Sequence, residues 1–265
     1  MNMRPTRSLL ARGGSVSSVA RGYQEPGEKP RRFYKAAEAG AVEGGFGVTL
    51  DSRTLSTPKG AKLVLPTLAL AQQVAAEWAA QGEHIDLAAM AVTRLANTAI
   101  EAIPAARDAV AQQIADYAGS DLLCYRAEGP EGLLARQTEA WDPALDRARR
   151  ELGVRLICGM GIVHQAQPDG SLDRVRALAL TEDDFGLAGL AFATPLFGSA
   201  VLALGLRRSW FEADRAFDLS RLDEAFQEEL WGIDAEAGER TARLRAEAQM
   251  VQAWFEALPS PAGIA

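Results

Sequence analysis

Apolar residues recur at every third or fourth position through most of this chain, and only its first quarter departs from that rhythm. From Arg31 the pattern is strand-like. Gly47-Val48-Thr49-Leu50 and Leu63-Val64-Leu65 flank Asp51-Ser52-Arg53 and Thr57-Pro58-Lys59-Gly60, both good turn chemistry. A small β-rich module of short antiparallel strands is expected over 31–67. It is too small to bury much alone, so it should pack on the helices after it. Thr67 is placed to cap a first helix with Ala71, Val74 and Trp78 on one face and Gln73, Glu77 and Gln81 in a stripe beside it, ended by Gly82. Asp86 caps the next, where Val92, Leu95, Ala99 and Ile103 make the apolar face. Arg94, Asn97 and Glu101 line another face, within mutual hydrogen-bonding reach. Pro104 opens a third helix with Val110, Ile114 and Tyr117 inward, closed by Gly119.

Further on, Pro130 marks a helix start, with Gln137 and Trp141 one turn apart. Asp142-Pro143 reads as a cap and first-turn proline, predicting a new helix to about Leu152 that stops at Gly153. Val154 to Val163 reads as a strand or buried connector, and Asp169-Gly170 as a turn. Thr181 with Asp184, and Ser220 with Asp223, have capping-box spacing. Pro195 to Leu206 is apolar nearly all round, predicting a buried helix too short to span a bilayer. Leu222, Phe226 and Leu230 repeat toward Trp231-Gly232. A last amphipathic helix turns Leu244, Ala248, Val251 and Phe255 inward and ends before Pro259. The expected fold is α+β: a tail over 1–30, the β-rich module, a mainly α-helical domain over 68–258 and a short tail over 259–265.

A chain of 265 residues buries enough surface to need no disulfides or metal for stability. Its net charge of −7 argues against sequence-independent binding to nucleic acid. The two cysteines, Cys124 and Cys158, stand in apolar settings and read as buried free thiols in a reducing compartment. With His84 and His164 they make no zinc spacing. Met1 to Gln24 has no acid but carries Arg4, Arg7, Arg12, Arg21 and several serines. That composition resembles a mitochondrial transit peptide, with a disordered bacterial N-terminus as the other reading.

Candidate chemistry is thin. Gly159-Met160-Gly161 lacks the third glycine and the following helix of a nucleotide-binding turn. Carboxylates at Asp183-Asp184, Glu228-Glu229, Asp234 and Glu236 suit helix capping and solvated faces. Two of them flanking a cleft would instead serve a hydrolase or isomerase by general acid–base catalysis. Trp78, Trp141 and Trp254 fit apolar helix faces. Trp231, beside Gly232 and an acidic run, reads equally as a core plug or an exposed anchor for a protein partner.

The order of motifs resembles the F1 ATP synthase assembly chaperone family that handles the free alpha subunit. It is carried by Arg32-Phe33-Tyr34-Lys35, by Leu50 to Arg53 with Thr57-Pro58, and by Leu63 to Thr67. Glu77-Trp78, Gln81, Met90, Thr93-Arg94 and Asn97 to Glu101 form its most recognisable block. Asp121 to Leu123, Tyr125-Arg126, Gln137, Trp141 to Pro143, Ser199 and Gln227 to Glu236 continue it, so that it spans Arg31 to Leu258. Ser52 stands where a glycine is usual and Ala91 where a proline is usual. The resemblance implies a monomeric, non-enzymatic chaperone that needs no cofactor and meets neither nucleic acid nor membrane. It would shield the beta-facing surface of the alpha subunit, in a bacterial cytoplasm or a mitochondrial matrix. Gln227, Trp231, Asp234 and Glu236 are the expected partner-binding residues, with Arg94 and Glu101 as a second surface.

Overall fold

The N-terminal sheet is a hairpin. β1 (Ala37–Val42) and β2 (Gly45–Leu50) pair antiparallel from Ala37↔Leu50 to Val42↔Gly45, and the two-residue β3 (Arg53–Thr54) pairs on β2. The computed structural model describes residues 29–232 and 234–261, so the leader-like stretch Met1–Gln24 lies outside the described residues. The turn expected at Asp51-Ser52 joins β2 to β3. Asp51 takes a positive φ of 55° there, and its carboxylate accepts from the Lys35 and Ala36 amides at 3.0 and 2.9 Å. Leu63 to Leu65, expected as a strand, forms only an isolated bridge: Leu65 exchanges two backbone bonds with Phe46, at 2.9 and 2.7 Å.

Ten α-helices follow among the described residues. α1 (Leu68–Ala79) packs on β1 and β2. Thr67 caps it, accepting from Leu70 N at 3.1 Å, and the helix ends three residues before Gly82. The Gln73, Glu77, Gln81 stripe makes three separate ties. Gln73 donates to Ala253 O at 2.8 Å, and Gln81 accepts from Asp86 N at 2.7 Å. Glu77 accepts from Val92 N, Thr93 N and the Thr93 hydroxyl, each at 2.7 Å. These last bonds cap α2 (Ala91–Glu101) from a neighbouring helix. Asp86 caps only the short 3-10 turn Leu87–Ala89, which explains why its expected role one turn further on is filled by Glu77. Tyr34 joins sheet to helices by donating to Trp78 O at 2.7 Å.

α3 (Ile103–Gly119) buries Val110, Ile114 and Ala118, whereas Tyr117, expected inward, is exposed. α4 (Glu131–Arg147) runs through Asp142-Pro143 without a break and continues as a π-helical turn, Ala148–Leu152, capped by Gly153. The expected new helix is absent because Trp141 and Ala144 on either side of the proline are both buried, and packing outweighs one lost backbone bond. The freed Asp142 carboxylate pairs with Arg126 at 2.5 Å.

β4 (Tyr125–Arg126) and β5 (Gly159–Met160) form a two-residue parallel pair. β5 is the only strand in the stretch Val154–Val163, and beyond the buried Val154 that stretch is largely open: Ile162 and Val163 are 97% and 70% exposed. Its backbone is held by side chains instead, with Gln167 bonding both ends of Ile157 at 2.7 and 2.8 Å and Ser171 doing the same for Arg155.

Asp169-Gly170 begins α5 (Asp169–Leu180) and is not a turn. Asp183, in place of Thr181, caps α6 (Asp184–Phe197), accepting from Gly186 N at 2.7 Å. The apolar run from Pro195 is split at Gly198, whose φ of +62° only glycine adopts freely. Ser199 then caps α7 (Ala200–Arg207), which is buried along its whole length. α8 (Ala213–Ser220), α9 (Leu222–Trp231) and α10 (Ala235–Glu256) complete the chain. Ser220 spends its hydroxyl on Phe217 O and Asp223 accepts from Gln137 at 2.7 Å, so no capping box forms there. One continuous core links Val48 of the sheet and Leu63 beyond it with Trp78, Trp141 and Trp254 of the helices. Within it Arg207 and Glu182 make a buried pair at 2.9 Å, and Arg207 also donates to Pro259 O.

Candidate functional site

α9 stands apart from the core. None of its residues is buried, and its chief neighbour is α4. Arg136 of α4 holds it, donating to Glu229 at 2.8 Å while its guanidinium lies 5.1 Å from the centre of the Phe226 ring. At its base Arg221 reaches Glu224 and Glu228 at 3.3 and 3.5 Å. Its last turn projects Leu230 and Trp231 into solvent, 60% and 84% exposed. Gly232, at φ +84°, then turns the chain, a conformation strained for any other L residue. Asp234 caps α10 by accepting from Ala237 N at 2.7 Å, and Glu236 lies in the first turn. Both acids are exposed at the positive end of the helix dipole. The result is a corner where an apolar tip meets fixed negative charge.

Beside this corner runs an open groove of about 600 Å³ between α2, α6, α9 and α10. Leu95, Phe192, Leu196 and Leu244 give it apolar walls, with Tyr117 at one side. Arg94, Arg221 and Arg240 face Glu224 and Glu247 around them. Arg94 is set in place by donating to Ala88 O at 3.1 Å. Arg240, which stands four residues after Glu236, lines this groove.

The six residues singled out from the sequence thus fall in three places. Gln227, Trp231, Asp234 and Glu236 lie along the exposed corner. Arg94 lines the groove. Glu101, two turns along α2, points elsewhere, and its carboxylate accepts from the Lys59 amide at 2.7 Å, bracing the β-module's turn. Sequence reasoning missed Tyr117, Phe192, Arg221 and Glu247. The signal for Tyr117 was available, since Ala118 continues the inward face of α3 equally well.

Two carboxyls are pushed above their ordinary range, each chiefly by burial: Glu77, and Asp121, which rises to about 6. Both serve as helix or turn caps. Asp121 accepts from Leu123 N at 3.1 Å and Val201 N at 3.2 Å. Neither lines the groove. Among the described residues no group of three or more His, Cys, Asp or Glu side chains stands close enough to hold a metal. Nor is any described helix long and apolar enough to cross a membrane.

A family model described as ATP12 chaperone protein matches residues 31–149. The crystal structure of Atp12 from Paracoccus denitrificans is similar at 42% identity and a TM-score of 0.80, covering 86% of this chain and 97% of that one. The chain belongs to the ATP12 chaperone family. This is the ATP synthase assembly chaperone family that the motifs from Arg31 onward resemble. A structure from Agrobacterium tumefaciens, described as that of a candidate chaperone, is similar at 38% identity and a TM-score of 0.82. It covers 92% of this chain and 95% of that one. Mitochondrial Atp12 of Schizosaccharomyces pombe is 24% identical over 221 residues, which is 79% of this chain and 76% of the yeast protein. These ATP12 relatives fit the expected compartments, a bacterial cytoplasm or a mitochondrial matrix.

Several of the residues that carry the resemblance are architectural. Arg126 donates to Gln137 O at 2.7 Å and lies over the Trp141 ring at 5.2 Å. Gln137 accepts from Ala127 N, and Trp141 donates to Leu219 O at 2.9 Å. They hold β4, α4 and the base of α9 in register, and so fix where the corner projects.

Proposed function

We propose that this ATP12-family chaperone binds the free alpha subunit of the F1 sector, covers the surface that beta later takes, and does so as a monomer without catalysis. The observation that carries the reading is the exposed Leu230–Trp231 tip followed at once by the acidic start of α10. A tryptophan held in water on a helix with no buried residue gives the fold little, whereas such anchors dominate binding energy at protein interfaces. A subunit awaiting its ring partner exposes an apolar, obligate surface, which an apolar tip and a long groove suit better than a small molecule does. Gln227, Trp231, Asp234 and Glu236 form the centre of the contact, and Arg94 extends it into the groove. Glu101 supports it only indirectly, through the turn it braces.

Charge reversal separates binding from folding. Glu236→Lys forfeits a favourable helix-dipole interaction of about 0.5–1 kcal/mol, lowering Tm by about 1–4 °C. Co-elution with co-expressed alpha subunit should fall at least about tenfold, the equivalent of ~1.4 kcal/mol. Unchanged co-elution, or binding lost only in step with folding, would overturn the assignment.

A further inference from the structure

The two cysteines were expected to be buried in apolar surroundings, and the structure corrects this for one of them. Cys124 is buried, but Cys158 is exposed in the middle of the apolar connector Val154 to Val163. Each stands one residue before a member of the parallel pair Tyr125↔Gly159, so the register sets the two opposite each other, 34 residues apart in sequence. The two thiols are near enough for each to shift the titration of the other. The Cys158 sulfur also lies 3.9 Å from Arg126 Nη2 and 3.9 Å from Leu123 O.

We propose that Cys124 and Cys158 form a reversible dithiol–disulfide site, with Cys158 as the attacking thiol and Cys124 as the resolving one, oxidised by hydrogen peroxide. Two features of the geometry support the division of roles. Cys158 is open to solvent, and a guanidinium fixed by Gln137 and Asp142 lies 3.9 Å from its sulfur. Cys124 is shielded from peroxide yet set opposite Cys158 by the strand register. The Cys158 thiolate attacks one peroxide oxygen, an S–O bond forms as the O–O bond breaks, and hydroxide leaves. The Cys124 sulfur then attacks the resulting sulfenic acid. An S–S bond forms, the S–O bond breaks, and the hydroxyl departs with the Cys124 proton as water. The two sulfurs together give up two electrons, and peroxide takes both. A thiol reductant reverses the step by exchange. The disulfide would tie the connector bearing Ile157, Met160, Ile162 and Val163 to β4, so the site controls how firmly an exposed apolar segment is held.

The neighbouring Cys124 thiol, with Arg126 adding to it, holds the Cys158 thiol down at about 6; burial and Asp142 act against them. Cys158, burial and Asp121 push Cys124 up. The test uses the full reduced chain. After brief treatment with hydrogen peroxide and quenching, alkylation under denaturing conditions should modify neither cysteine. The intact mass should fall by two hydrogens, and dithiothreitol should restore both thiols. Cys124→Ser should leave a sulfenic acid on Cys158 that dimedone traps, and Cys158→Ser should leave Cys124 unreacted in the native protein. In the Cys124→Ser protein, where Arg126 still lies beside Cys158, alkylation of Cys158 should still outpace that of a free cysteine at pH 7. The proposal is overturned if peroxide leaves Cys124 alkylatable while Cys158 is oxidised. It is equally overturned if the disulfide joins two chains, or if Cys124 reacts as fast without Cys158 as with it.

Discussion

In the proposed contact Trp231 matters more than any other residue, and its surroundings explain why it can be removed without harm to the fold. With 84% of its surface in water and Gly232 beside it, truncation leaves no cavity and strands no polar group. Trp231→Ala should therefore change stability by no more than about 0.5 kcal/mol. The same change should weaken alpha-subunit binding by about 2 kcal/mol or more, roughly thirtyfold, as for a central interface anchor. Calorimetry on the isolated chain and titration with alpha subunit measure the two halves separately. Large unfolding without a binding defect would make Trp231 structural. Asp234 is a poorer probe, because it caps α10 and its replacement by alanine removes about 1 kcal/mol from the helix itself. Trp231 and the acids after it were legible because one short stretch of sequence holds them all.

At the scale of elements, most caps are local, as at Thr67, Asp183, Ser199 and Asp234, but one helix is started by a side chain on its neighbour. Glu77, on α1, supplies the cap of α2 through three bonds. Burial raises the pKa of its carboxyl, while the Thr93 and Val92 donors favour the charged form. Glu77→Ala would leave those amides unpaired and should cost about 2–3 kcal/mol, a Tm fall of about 5–10 °C by scanning calorimetry. Glu77→Gln, which keeps an acceptor, should lose less. A full loss in the glutamine variant would mean that charge, not hydrogen bonding, secures the cap. The periodicity of apolar residues located α1, α2, α3 and α10 because each buries one face. It failed around Asp142-Pro143, Thr181 and Ser220, where local rules for caps and prolines point one way and burial of Trp141, Ala144 and Phe217 points the other. Gly189 shows the same limit: mid-helix in α6, it permits so close an approach of α10 that a Cβ would collide with the Phe255 ring. Nothing in a single sequence announces that contact.

For the whole molecule, the residues that brace the fold are not those of the proposed contact. The motifs that place the chain among ATP12 proteins, such as Gln137, Trp141 and Arg126, are mostly buried and brace α4, β4 and α9. The groove was not legible, since its walls come from α2, α6, α9 and α10, more than 150 residues apart at the extremes of Ala91 and Glu247. Together these parts describe a braced frame whose apolar tip, mixed-charge groove and acidic helix start form the proposed contact with a protein client. A surface that substitutes for beta must also yield to it, so binding should be exchangeable rather than maximally tight. The most direct test is to isolate the complex of this chain with alpha subunit, add beta, and follow both partners by size-exclusion chromatography. Beta should release the chain in proportion to the alpha–beta complex formed. A stable assembly retaining all three proteins, or a complex that beta leaves undisturbed, would refute the proposed exchange.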